Sequence, residues 1–337
     1  MKKYLIIKIA AIGDVVMALP LIREIRRREP DAHITWVCGQ SVKPLLENLP
    51  VDELLVIDEK KLLRGNKLEK FSVVLSLWKK IAFRKFDSIA LGHADKRYRL
   101  LTTLTRADRT SAFNHTLGHM CPIPGRHHTD EYVRLIYPDL EKNRVIAPVH
   151  LDFPLKKEWE DILSSKKTVV LLPGGAKNML ADDACRRWPV ERYAELAELL
   201  LREGWQVILC GAGSDEWVLP YFASLPIVNW IGKTGLQDMV AIFNHVDVVV
   251  THDSGPMHLA GTATCKLIAL FGPTNPMEKI PRRNGVHFEW RADQFPCCPC
   301  YDGKFYMTCK DNICLRNVEA KDIFKMFKQR AGRLVGR

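Results

Sequence analysis

Four short stretches of this chain set polar residues directly after apolar runs, where a parallel sheet would offer them to a ligand, and a fifth sets two arginines beside a helix start. Asp14 follows the run YLIIKIAAIG, whose last residue is Gly13. LLPGGAK carries Gly174, Gly175 and Lys177, and RRWP adds Arg186 and Arg187. GAGSDE contributes Glu216, and THDSGPMHLA holds Asp253, Ser254, Gly255 and His258. A carboxylate can take the proton of a hydroxyl, which is a poor nucleophile at neutral pH without a base in hydrogen-bond reach. Paired glycines let backbone amides approach an anion, and a helix beginning at DSG offers free N–H groups and a favourable dipole to phosphate. Arginines clamp a diphosphate in bidentate fashion. Taken singly, each residue also reads as a cap, a turn or a solvated basic pair, and for one of the two arginines that is the commoner case. Their shared place at the carboxyl edge of successive strands points to a site.

Those strands have to be built first. The opening MKKYLIIKIAAIGDVVMALP starts like a secretory signal, with Lys2 and Lys3 before an apolar run. Lys8 and Asp14 would be costly in a membrane-inserting segment, so the stretch reads as a buried parallel strand, a glycine turn and a helix. Pro20 predicts a kink or a short first turn in that helix. YLIIKI, HITWVC, ELLVID and DSIALG read as strands of a first half. The region TLTRADRTSAFNHTLGHMCPIPGRHHTDEYVRLI reads as polar, turn-rich and histidine-rich. A boundary is expected in LDFPLKKEWEDILSSKK, giving domains 1–160 and 161–337. The second half runs TVVLLPGG, helix VERYAELAELLLREG, WQVILCGAG, helix LQDMVAIFNH, VDVVVTHDSG and CKLIALFGPT. The alternation predicts an α/β protein of two Rossmann-like doubly wound domains facing a cleft, with ligands beyond the carboxyl ends of the strands.

Composition narrows the classes. The 337 residues suffice for two domains, and a hydrophobic content of 47% is that of a globular protein. A net charge of +11 suits anionic headgroups, phosphorylated sugars or a merely solvated basic face. Nucleic acid is not expected, because no motif for it is present and aromatics are not interleaved with the basic residues. Cys38, Cys121, Cys185, Cys210 and Cys265 read as reduced thiols of a cytoplasmic protein.

THDSGPMHLAGTATCKLIALFGPTNP resembles the signature of the ADP-heptose:lipopolysaccharide heptosyltransferases, glycosyltransferase family 9. IIKIAAIGDVVMALPLI resembles that family's first strand and catalytic loop, and PGGAK…RRWPVERYAELAELL and GAGSDE match in order and approximate spacing. The resemblance spans nearly the whole chain. It implies the glycosyltransferase B fold, an N-terminal acceptor domain and a C-terminal nucleotide-sugar domain. It also implies inverting transfer of heptose from ADP-heptose to an anionic, lipid-linked inner-core saccharide, with no cofactor required for catalysis. Asp14 would be the general base, Arg186 would lie near the diphosphate or sugar, and Glu216 would hold the ribose. Asp253 would meet heptose hydroxyls, the Ser254 and Gly255 amides would meet phosphate, and His258 would support their loop. Gly13, Gly174, Gly175, Lys177 and Arg187 complete the expected binding set. The segment AKNMLADDAC before RRWP is long for the family pattern. A cytoplasmic protein peripheral to the inner leaflet is the expected setting.

Cys297, Cys300, Cys309 and Cys314, with Cys298 beside them, have the spacing C-x2-C-x8-C-x4-C. Four thiolates of this kind could hold a structural zinc or iron, and reduced thiols are the equal alternative. Two other functions remain open in the sequence. One is a sugar-nucleotide epimerase of the UDP-N-acetylglucosamine 2-epimerase type, and the other is a non-catalytic glycan-binding module. A nicotinamide dehydrogenase fits less well, because Glu216 stands where the third glycine of its fingerprint belongs.

Overall fold

A computed structural model of the chain describes residues 1–113, 125–141, 144–164, 166–177, 179, 182–300, 309 and 311–331. Cys121 lies outside the described residues. The first half begins with β1 (Lys3–Ile7), a run whose last four residues are buried. The helix expected after it is two helices, α1 (Ile12–Ala18) and α2 (Pro20–Arg28), joined at Leu19. Pro20 takes the first position of α2, where its missing N–H costs no helical hydrogen bond. The chain continues through β2 (His33–Gly39), α3 (Lys43–Leu46), β3 (Glu53–Ile57) and α4 (Glu59–Arg64). Then come α5 (Lys67–Ile81), β4 (Lys85–Leu91), a 3-10 turn over Lys96–Thr102, β5 (Arg106–Ala112) and α6 (His128–Arg134). Asn66 and Glu69 cap α5 reciprocally, satisfying two of the amides that a helix start leaves unpaired.

All neighbours in this sheet are parallel, in the order β3-β2-β1-β4-β5. The order reverses between β1 and β4, so the connections after these two strands diverge and leave a crevice at their carboxyl ends. Asp14 follows β1 and His93 follows β4.

The second half repeats the plan. It contains α7 (Lys157–Ser164), β6 (Thr168–Leu172), α8 (Val190–Arg202), β7 (Gln206–Leu209), β8 (Val228–Asn229) and α9 (Leu236–His245). These are followed by β9 (Val248–His252), α10 (Gly255–Gly261), β10 (Lys266–Phe271), α11 (Pro276–Lys279), β11 (Val286–Trp290), α12 (Ile313–Arg316) and α13 (Ala320–Ala331). The sheet order is β11-β10-β9-β6-β7-β8, again parallel, with its reversal between β6 and β9. The glycine turn follows β6 and the DSG loop follows β9, so both lie at that crevice.

One apolar core runs through both halves, from Tyr4, Ile6 and Trp36 through Val15 and Met17 to Met257, Leu259 and Phe271. α1 packs directly on α10, which brings the two crevices face to face. Among the described residues no helix is long and apolar enough to cross a membrane.

Candidate active site

Asp14 sits in the first turn of α1, close to where β1 ends. Its Oδ2 accepts a hydrogen bond from Lys8 Nζ at 3.0 Å. Lys8 is only 3% exposed, and its ammonium also lies 5.5 Å from the centre of the Tyr132 ring. A buried lysine keeps its charge only beside such partners. Enclosure by protein pushes the Asp14 carboxyl upward, but the charge and hydrogen bond of Lys8 outweigh it and hold the group at about 2. The side chain is nevertheless 42% accessible, an ionised carboxylate whose Oδ1 takes no hydrogen bond from any described residue. His93 takes the Ile9 N–H on its Nε2 at 2.9 Å and stacks on Tyr98 at 3.9 Å, fixing the loop that leads to Asp14. Burial and the nearby Lys8 keep His93 far below the ordinary imidazole range, hence neutral.

Across the opening, the glycine turn after β6 is tied down by Asp215. One of its oxygens accepts from Gly175 N at 3.1 Å and the other from Ala212 N at 2.9 Å. A side chain at Gly174 would collide with that carboxylate, and Gly175 has a φ of +83°. Arg187 donates to Gly175 O at 2.8 Å and pairs with Asp182, so its guanidinium is committed to the turn itself. Lys177 is half-exposed, with Nζ 3.9 Å from Asp182. Glu216 is exposed beside Gly232, and no hydrogen bond joins its carboxylate to any described residue.

Asp253 is 1% exposed and surrounded by cations. Its Oδ1 lies 3.0 Å from Arg186, and its Oδ2 lies 3.9 Å from Lys279 and accepts from Thr274 Oγ1 at 2.6 Å. Burial pushes this carboxyl up, but Arg186, Lys279 and the Thr274 hydrogen bond hold it far below the usual range. In this arrangement Asp253 acts on the opening through Arg186 and Lys279. The expected direct contact with sugar hydroxyls would require those partners to rearrange. Ser254 turns its hydroxyl onto His252 O at 3.1 Å rather than capping α10, which leaves the first-turn amides of that helix to other partners.

The two sides touch at glycines. A Cβ built on Gly13 would stand 2.5 Å from His258 Cδ2, so only glycine admits the ring there. A Cβ on Gly255 would stand 3.5 Å from Ile12 Cβ. His258 is 5% exposed, and its Nδ1 is buried without a hydrogen-bond partner among the described residues. Burial, which Asp253 and Asp14 only partly oppose, brings it down to about 4. His128, also buried near Asp14, is brought down to about 3 by burial and then by Lys279. His127 bonds Ile280 O at 2.9 Å across the two halves, and Arg282 bonds Asp130 at 2.8 Å. The site is therefore an ionised carboxylate and neutral imidazoles on one side, with arginine, lysine and glycine amides on the other.

The structure gathers Gly13, Asp14, Asp253, Ser254, Gly255, His258 and Arg186 around one opening. Gly174, Gly175 and Arg187 adjoin it, and Lys177 and Glu216 are exposed. Sequence reasoning missed Lys8, Asp215, Lys279 and Thr274 as parts of it. Lys8 had a signal, being a charge inside an apolar run. Asp215 stood in GAGSDE beside the glutamate that drew attention. The cysteines behave differently. Cys300 and Cys314 are buried while Cys297 and Cys309 are exposed, and Cys309 Sγ accepts from Asn312 N at 3.2 Å. Among the described residues no three His, Cys, Asp or Glu side chains are grouped to hold a metal ion. Cys298 lies against Cys314, and residues 301–308 and 310 between Cys300 and Cys314 lie outside the described residues.

Comparison with known proteins agrees with this geometry. The family model described as glycosyltransferase family 9 (heptosyltransferase) matches residues 101–303. The lipopolysaccharide core heptosyltransferase OpsX of Haemophilus influenzae is 26% identical over 310 residues, covering 84% of this chain and 82% of that protein. The solved Escherichia coli ADP-heptose lipopolysaccharide heptosyltransferase II superposes with a TM-score of 0.73 at 21% identity over 99% of both chains. The E. coli heptosyltransferase WaaC, solved with ADP, gives 0.70 at 16% identity, covering 97% of this chain and 99% of that one. With the family model spanning more than half of the sequence and two facing parallel sheets beneath it, the chain belongs to glycosyltransferase family 9, a heptosyltransferase of lipopolysaccharide biosynthesis with the glycosyltransferase B fold.

Proposed function

We propose that the chain transfers heptose from ADP-heptose to a hydroxyl of a lipid-linked inner-core saccharide, inverting the anomeric centre, with Asp14 as base. In this reading residues 1–160 hold the acceptor and residues 161–337 the donor. The observation that carries it is the opposition of an ionised, accessible Asp14 to the cationic, glycine-lined edge that holds Arg186, Lys177 and Lys279. The acceptor hydroxyl gives its proton to Asp14 Oδ1, its oxygen bonds to the anomeric carbon, and the bond from that carbon to the diphosphate oxygen breaks. A carboxylate held at about 2 is a weak base. The proton therefore moves late, once bond formation has made the hydroxyl acidic, and Lys8 keeps Asp14 ionised until that transfer. The departing ADP gathers negative charge, which Arg186, Lys177, Lys279 and the first-turn amides of α10 offset. Glu216 would take the ribose hydroxyls. The E. coli relative solved with ADP, and again with ADP-2-deoxy-2-fluoro heptose, supports the choice of donor.

The protein is taken to work at the inner leaflet, where its basic surface meets anionic lipid. Asp14→Asn keeps shape and removes basicity. It should lower turnover on ADP-heptose and a defined core acceptor by about 100-fold or more, the usual worth of a general base. ADP binding should hardly change. Near-normal transfer by this variant would remove Asp14 from the mechanism. A product formed without any acceptor would favour the epimerase chemistry instead.

A further inference from the structure

We propose that the outer face of α5, continued by Phe83, Leu100 and Leu104, seats the enzyme on an anionic bilayer. The helix has two apolar sides. Val73, Val74, Leu77 and Ile81 bury against the first sheet. Leu68, Phe71 and Leu75, spaced i, i+3 and i+7 and so on one face, are 80%, 58% and 39% exposed. Trp78 carries that face onward and donates from Nε1 to Leu100 O at 3.0 Å. The Phe83 N–H donates to Leu104 O at 2.7 Å. Six of the thirteen exposed large hydrophobic side chains among the described residues thus fall between positions 68 and 104, a cluster rather than a scatter.

The surrounding charge chooses the partner. Residues 67–106 hold ten Lys and Arg against three Asp and Glu, a surplus of seven within a chain of net charge +11. Lys67, Lys79, Lys80, Lys96, Arg97 and Arg99 are exposed. Interfaces between proteins are depleted in lysine, whereas an apolar helix face set among lysines is how a chain lies on acidic lipid. The face also connects to the site at two points. Arg64, just before α5, donates to Met179 O on the loop beyond Lys177. Tyr98, in the 3-10 turn that carries Leu100, stacks on His93. A bilayer under α5 would therefore lie beside the opening that admits the acceptor.

This inference rests on the reading of the acceptor as lipid-linked. Its test uses the full chain and flotation with phosphatidylethanolamine/phosphatidylglycerol vesicles. Wild type should bind at low salt and release as ionic strength rises. The variant L68S/F71S/F83S should bind at least about 100-fold more weakly, since three large apolar side chains no longer enter the interface. Its turnover on a delipidated acceptor should stay at the wild-type level while turnover on a vesicle-embedded acceptor falls. K79E/K80E should weaken binding to these vesicles and leave binding to neutral phosphatidylcholine vesicles unchanged. Undiminished binding by the serine variant would overturn this face and leave the lipid-linked reading standing. A wild-type chain that ignores acidic vesicles at low salt would overturn both. A wild-type dimer that the serine variant dissociates without loss of vesicle binding would make the face a contact between copies and overturn the proposal.

Discussion

Replacing Gly13 with alanine tests the junction between the two halves more sharply than removing any charged group. The added Cβ would stand 2.5 Å from His258 Cδ2, 3.1 Å from Nε2 and 3.3 Å from Cγ. Carbon atoms rest at about 3.5–4.0 Å, so ring and helix must part by about 1 Å or more. His258 has nowhere to retreat. It is buried on α10, whose first residue already meets Ile12. The movement therefore passes into α1 and carries Asp14 with it. Misplacing a reacting group by about 1 Å costs on the order of 100-fold in rate, and overpacking a filled site costs about 1–3 kcal/mol of stability. The assay is product formation from ADP-heptose with kcat and KM resolved, beside ADP calorimetry and a melting curve. Turnover and Tm should both fall while ADP affinity holds. Adding His258→Ala to Gly13→Ala should recover most of the lost Tm, giving a coupling within the range of about 0.5–3 kcal/mol seen for residues in contact. Wild-type kcat and Tm in Gly13→Ala would refute the claim that this contact sets the position of the base.

Two further outcomes concern pH. Asp14 is held at about 2 against an ordinary 3.8, so its contribution to stability is present above the unfolded value and lost as pH falls through about 2. Lys8→Met removes the largest influence opposing burial, and the acid limb of kcat/KM should move upward; an unmoved limb would show that Lys8 does not govern Asp14. Four buried histidines, His127, His128, His252 and His258, and the half-buried His93 all lie below their ordinary 6.5. The unfolded chain therefore binds more protons below pH 6.5, and stability to urea should drop from about pH 6.5 downward, before the carboxylates titrate. Equal stability at pH 7 and pH 5 would contradict their neutral burial.

Much of the fold was legible because parallel strands buried on both faces are short runs of Ile, Val and Leu. β1, β2, β3, β4, β6, β7, β9 and β10 all stand where such runs are, and α9 covers the predicted LQDMVAIFNH from end to end. What escaped were edges. β5 is RADRTSA, exposed or half-exposed along its length, and was absorbed into a polar, turn-rich region. β8 is two residues long, and β11, the opposite edge, is nowhere buried. The site was legible to the same degree. Its glycines and carboxylates follow strands, and a strand end is visible in one dimension. Thr274, Lys279 and Arg282 arrive from the loop after β10, from α11 and from the turn beyond it, and only the third dimension brings them to Asp253 and Asp130.

The shared core has a bearing on how such enzymes diversify. Two similar halves, each with its own sheet, invite the view that one half can be exchanged to change the donor and the other to change the acceptor. Here the halves are fitted to each other residue by residue: Gly13 to His258, Asp130 to Arg282, and His127 to the carbonyl of Ile280. A half transplanted from a cousin brings its own version of each seam position, and a mismatch at any of them lands beside the reacting groups. New specificity is therefore more readily inherited through exposed positions such as Lys177 and Glu216, which stand free of the seam, than by recombining whole modules.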